Sequence, residues 1–120
     1  MFEVFFYRDR SGKEPVLEYI EKLTNKTDKD SRINANKILD YIRYLREMGT
    51  QVREPYAKRL EGDIWELRPI RNRILYAAWD GKSFILLHHF VKKTTKTPSR
   101  EIEQAKKNLA DYRERNQGNE

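Results

Sequence analysis

The stretch Lys58–Pro98, KRLEGDIWELRPIRNRILYAAWDGKSFILLHHFVKKTTKTP, decides how this chain is read, because short apolar runs of strand length alternate in it with turn residues. Glu61-Gly62-Asp63, Pro69-Ile70 and Asp80-Gly81 punctuate it, which predicts strands over Ala57–Leu60, Ile64–Arg68, Arg71–Trp79 and Ser83–Lys92. Successive strands joined by tight turns form an antiparallel meander. The same stretch is cationic. Residues 53–96 hold ten Lys/Arg against five Asp/Glu, while residues 1–52 hold ten against nine and residues 97–120 five against five. Nearly all of the net charge of +6 therefore sits on the sheet, and a cationic concentration of this kind is the footprint of a polyanion.

Outward from the meander the periodicity changes. On the N-terminal side, Phe2–Tyr7 is rich in aromatic and β-branched residues and reads as a further strand. Ser11-x-x-Glu14 is a capping signature for a helix with Val16, Leu17, Tyr19, Ile20 and Leu23 at helical spacing. Thr27 or Asp28 caps a second, longer helix with Ile33, Ile38, Tyr41, Ile42 and Leu45 on one face, and Gly49 ends it. On the C-terminal side, Thr97 as cap and Pro98 as first helical residue start a third helix whose stripe is Ile102, Ala105, Leu109 and Tyr112. Residues 116–120 are expected to fray. At 120 residues the chain fits a single domain, residues 1–120, of the α+β class: a small antiparallel sheet backed by two N-terminal helices, with a C-terminal helix.

Composition excludes several chemistries. With no cysteine there is no disulfide, no thiolate nucleophile and no thiolate metal site, and two adjacent histidines lack the usual zinc spacing, so neither a metal nor another cofactor is expected. The apolar runs are far shorter than the roughly 20 residues that span a bilayer, and the opening MFEVFFYRDR has no basic start or small-residue cleavage site. A cytoplasmic protein without membrane association is expected. A sequence pI near 9.5 puts nucleic acid ahead of an anionic membrane surface or an acidic protein as partner.

Strand alternation says which charges share a face. A two-residue turn at Pro69-Ile70 sets Glu66, Arg68, Arg71 and Arg73 on one face and Trp65, Leu67, Ile74 and Tyr76 on the other, against the helices. An odd loop would scramble this. Across Asp80-Gly81 the same parity carries His88 and Lys92 to the arginine face, and His89 and Lys93 to the opposite one, unless a bulge intervenes. The plainer alternative is a solvated face with Glu61, Asp63 and Glu66 balancing the arginines, a histidine that is merely hydrogen-bonded, and Trp65 and Trp79 in the core.

The phrase Leu60-Glu61-Gly62-x-x-Trp65-Glu66-Leu67-Arg68-Pro69-x-Arg71-x-Arg73, followed by Leu87-His88-x-Phe90-x-Lys92-Lys93-Thr94-x-Lys96-Thr97-Pro98, resembles the HigB branch of the RelE toxin superfamily, which includes phage-derived HigB-like proteins. The resemblance spans essentially the whole chain and implies the fold just described. It implies the toxin of a type II toxin–antitoxin pair, a metal-independent endoribonuclease that cleaves mRNA, commonly on the ribosome. Its partner would be a HigA-like helix-turn-helix antitoxin, in a hetero-oligomeric complex. Carried over residue by residue, the catalytic positions are Arg68, Arg73 and Lys93, with Lys58, Arg71, His88, Lys92 and Lys96 as RNA contacts. The family pattern often has glycine where this chain has Ile70 and His89.

Such a reaction uses the neighbouring 2′-hydroxyl as nucleophile, so the groups must gather around one phosphate. Arg68 and Arg73 are expected as bidentate stabilisers of its charge, and Lys93 as the general base or acid, or as a further stabiliser with a histidine carrying the proton. Two rivals share this sequence: an RNA-binding module without chemistry, and a ParE-like toxin acting on DNA gyrase.

Overall fold

In the computed structural model, residues 1–116 are described as β1 (Glu3–Phe6), α1 (Pro15–Thr24), α2 (Lys29–Met48), a 3-10 turn (Gly49–Gln51), β2 (Ala57–Glu61), β3 (Ile64–Leu67), β4 (Asn72–Trp79), β5 (Ser83–Val91) and α3 (Ser99–Asn116). β2 to β5 form the meander. β1 lies beyond them, parallel to β5, so the sheet is mixed and its order is β1-β5-β4-β3-β2. This corrects the all-antiparallel expectation. The helical pair between β1 and β2 carries the chain across one sheet face to the opposite edge, and a strand not joined to its neighbour by a hairpin is free to run parallel. Asn116 belongs to the last turn of α3, its amide bonded to the Tyr112 carbonyl, and the remaining residues of the expected frayed end lie outside the described residues.

α1 and α2 cover one face. Val16, Ile20, Leu23, Ala35, Ile38, Ile42 and Leu45 pack on Leu67, Ile74, Tyr76, Phe84 and Leu86. α3 covers part of the other face with Ala105 and Leu109 against Ile64, Leu75, Ala77, Ile85 and Leu87. Consecutive strand residues thus enter two different cores, as alternation requires. Trp65 and Trp79 sit half-buried at the rims of these cores. On α2 the stripe is shifted from the expected one: Ile33 is exposed, and Ala35 takes the buried place.

The helix ends show where local signals compete. Asp28 caps α2 as expected, accepting from the Ser31 N–H at 2.9 Å. Gly49 ends it with φ of 57°, and Phe2 lies so close that a Cβ there would meet its ring at 2.1 Å. The Ser11 capping pattern does not form. The Ser11 hydroxyl donates to Asp9 at 2.7 Å instead, and Pro15 opens α1. Pro98 is not the first residue of α3, since its carbonyl already accepts from the Glu101 N–H and the helix begins at Ser99.

Candidate nucleic-acid interface

Two irregularities of the meander decide the site. The observed pairing Leu67↔Ile74 makes the β3–β4 loop longer than the expected two residues, by an even number. Glu66 accordingly faces Leu75 rather than Arg73, but an even change keeps the parity, so Glu66 and Arg73 still share the α3 face. At the next hairpin Trp79 pairs with Ser83, which makes the loop an odd three residues, and a bulge at Leu87 then restores the phase. His88 therefore pairs with Leu75 on the arginine face, and His89 turns to the helical face. The bulged residue's carbonyl is taken by the Asn108 amide of α3 at 2.8 Å.

On the α3 face, beyond the reach of the apolar packing, lies a buried carboxylate. Glu66 is 2% exposed, with Arg68 Nε at 3.6 Å and Arg73 Nε at 3.8 Å from the same oxygen, while the other oxygen accepts the Thr97 hydroxyl at 2.5 Å. The hydroxyl expected to cap α3 is thus spent on Glu66. Arg73 is also buried, and its Nη1 donates to the carbonyls of Ile70 and Asn72 at 2.9 and 2.8 Å. Burial lowers its pKa, Glu66 works against that shift and Arg68 adds to it. Ile70 adopts a φ of 59°, a left-handed conformation costly for a β-branched residue and natural to glycine. That turn aims the Ile70 carbonyl at Arg73.

Above Glu66 opens a cavity of about 290 Å³ lined by Lys58, Arg59, Arg68, Lys96 and Thr97. Lys58 stands directly across from Glu66 in the β2–β3 register, and the Lys96 segment arrives from beyond β5. Of the two carboxylates in the wall, Glu66 is taken by the arginines, and Glu61 pairs with Lys106. Lys58 and Lys96 have no carboxylate within 4.0 Å among the described residues, and Arg59 and Arg68, the latter beside Glu66, add two more cations to the wall.

Arg68 is reached by solvent, Arg73 hardly at all, so the two expected catalytic arginines have different parts: Arg68 lines the cavity, and Arg73 holds Glu66 and the turn behind it. Lys93 does not join them. It lines a separate cavity of about 530 Å³ with Phe90, Val91, Thr94, Pro98 and Arg100. Arg68 and Lys93 thus line neighbouring cavities, with Arg73 buried behind the first. Arg71 is exposed on the turn, and Lys92, half-buried, donates its N–H to the Arg71 carbonyl at 2.7 Å. The His88 ring lies 2.7 Å from Glu101 in the first turn of α3.

Behind the site, a polar cluster is visible only in three dimensions. Tyr19 of α1 donates to Asn72 at 2.7 Å, and the Asn72 amide donates to Asn34 of α2 at 2.8 Å, so one buried asparagine ties both helices to the site-bearing end of β4. His89 stacks on Tyr19 with ring centroids 4.1 Å apart. Burial foremost, and then His88, push its pKa down to about 4. In the sequence only the alternation, which puts Asn72 on the helical side, hints at this cluster.

A small apolar dimple of about 60 Å³ on the helical face, beside Trp65 and Tyr76, offers no charge to an anion. Among the described residues no three His, Asp or Glu gather as a metal site needs, and no helix is long and apolar enough to cross a membrane. A family model described as phage derived protein Gp49-like (DUF891) matches residues 28–110, from the α2 cap through most of α3, and so takes in both cationic cavities. No curated protein gives a match.

Proposed function

The chain belongs to the phage derived Gp49-like family, which is toxin-like and related to RelE-type toxins, and on that premise we propose that it is the toxin of a type II toxin–antitoxin pair, a metal-independent endoribonuclease cleaving mRNA in the cytoplasm, on the ribosome. Its inhibitor would be a HigA-like helix-turn-helix antitoxin. The observation that carries this reading is the cavity where Lys58, Arg68 and Lys96 meet over one buried carboxylate, which Arg73 flanks from behind and Arg68 from the cavity side. A phosphodiester fits there.

In the reaction the 2′-hydroxyl attacks the adjacent phosphorus, the P–O5′ bond breaks, and the products end in a 2′,3′-cyclic phosphate and a 5′-hydroxyl. Arg68 offers planar paired donors to the phosphate, whose charge rises toward the transition state, so its bonds strengthen as the reaction proceeds. Lys58 and Lys96, the amines lining the cavity, take the proton from the 2′-hydroxyl and return one to the leaving oxygen. Glu66 and Arg73 act indirectly, by fixing where the Arg68 guanidinium points. The ribosome would hold the RNA in line for attack.

The test is cleavage of mRNA in EDTA, with and without ribosomes, followed by end analysis. Arg68→Ala should lower the rate about 100- to 1000-fold, the usual cost of one pre-positioned donor to a transition-state charge. RNA that stays whole but binds with a steep salt dependence would replace this reading with the binding module. Inhibited gyrase supercoiling would replace it with the ParE-like toxin.

A further inference from the structure

The cavity that holds Lys93 is left without a task by the reaction above. We infer that it is a second nucleotide subsite, in which a base of single-stranded RNA next to the scissile phosphate lies on Phe90 and Pro98 while its phosphate is held by Lys93 and Arg100. This rests on the ribonucleic-acid reading of the Arg68 cavity. Three observations carry it.

First, the lining is of two kinds. Phe90 and Pro98 are its apolar floor, Val91 borders it where β5 ends, and Lys93 and Arg100 supply two cations. Val91, the last residue of β5, keeps 44% of its surface in solvent, and Phe90 is half-buried, held by the α3 core below and by its pairing with Arg73. A flat base with an attached anion matches that lining. An inorganic anion would leave the floor uncovered.

Second, the cations are free for a ligand. Lys93 has no carboxylate within 4.0 Å among the described residues, and Arg100, 80% exposed, meets only Glu101 at 3.5 Å, a pair of little strength in water.

Third, the two cavities are neighbours along one short segment. Thr94 and Pro98 line one, and Thr95, Lys96 and Thr97 line the other. That segment is pinned by the bonds from Thr97 to Glu66 and from the Thr94 hydroxyl to the Lys96 carbonyl at 2.7 Å. A strand crossing it meets both cavities in succession.

The probe is a labelled 2′-O-methyl hexaribonucleotide, which lacks the nucleophilic hydroxyl and stays whole, together with versions abasic at single positions. For the Lys93→Ala/Arg100→Ala pair, we expect binding about tenfold weaker at 0.1 M salt and a salt slope reduced by roughly 0.7 for each phosphate no longer neutralised. One abasic position should cost the unaltered chain about tenfold and cost Phe90→Leu little, since a stacked base is what that ring holds. If the paired variant binds as before while Arg68→Ala fails to bind, the subsite is refuted and the Arg68 cavity stands. If no variant, Arg68→Ala included, alters binding, both readings fall. If every abasic probe binds the unaltered chain as well as the intact one, the base platform is overturned.

Discussion

The two faces of the sheet are built from the same strands and do opposite work. Leu67 and Glu66 are neighbours in β3 and both are buried, yet Leu67 enters an apolar core closed by two helices, while Glu66 lies under the charged end of a face that one helix covers only in part. A face covered by α1 and α2 can be uniformly apolar. On the other face the apolar packing ends where α3 ends its coverage, and polar groups beyond it must satisfy one another, as Glu66, Arg68, Arg73 and Thr97 do. The proposed site lies where coverage is incomplete.

Adjacent substitutions should separate the faces. Glu66→Ala strips a buried guanidinium of its partner and should cost about 3–5 kcal/mol in urea unfolding. It should also weaken RNA binding, because Arg68 loses the carboxylate that orients it. Leu67→Ala, one residue away, should cost about 3 kcal/mol through the cavity it leaves, with RNA affinity of the folded fraction unchanged. Equal loss of affinity in both would erase the functional distinction between the faces.

Smaller changes sharpen the contrast. Thr97→Val removes a hydrogen bond to a carboxylate and should cost about 1.5–2 kcal/mol, with faster amide exchange in residues 92–98 than in β5. Ile70→Gly should stabilise the fold by about 1 kcal/mol, because it relieves the left-handed turn behind Arg73. On the helical face the effect to test is set by pH, at His89. Its folded pKa of about 4 lies below the unfolded value of roughly 6.5, so the fold favours the neutral ring. Its stabilisation is complete above pH 6.5 and is lost as pH falls toward 4. Unfolding measured across that window should show the decline, and His89→Gln should flatten it.

The elements were legible because their signals are local. Helical stripes, the Asp28 cap, the Asp80-Gly81 turn and the alternation in β3 and β4 depend on residues a few positions apart. The placement of His88 on the arginine face held for a less local reason: an odd loop and the Leu87 bulge compensate, and the bulge is supported by Asn108, a residue 21 positions away. Ser11 and Thr97 failed as caps since other carboxylates compete for a hydroxyl, and Glu66, 31 residues before Thr97, is one of them. The parallel placement of β1 also depended on a crossover that its four residues do not encode.

By itself the sequence determined the layers of this protein, the strands that carry its charge and the residues that turn toward each core, because side-chain direction follows from backbone period. Only the tertiary structure decided that Arg68 meets Lys58 and Lys96, that Arg73 is buried behind them and that Lys93 belongs to a neighbouring cavity. Alternation assigns a side chain to a face. Where on that face its tip ends is set by loop lengths, a bulge and the carboxylate that anchors a distant segment, and these are interactions between residues far apart in the chain.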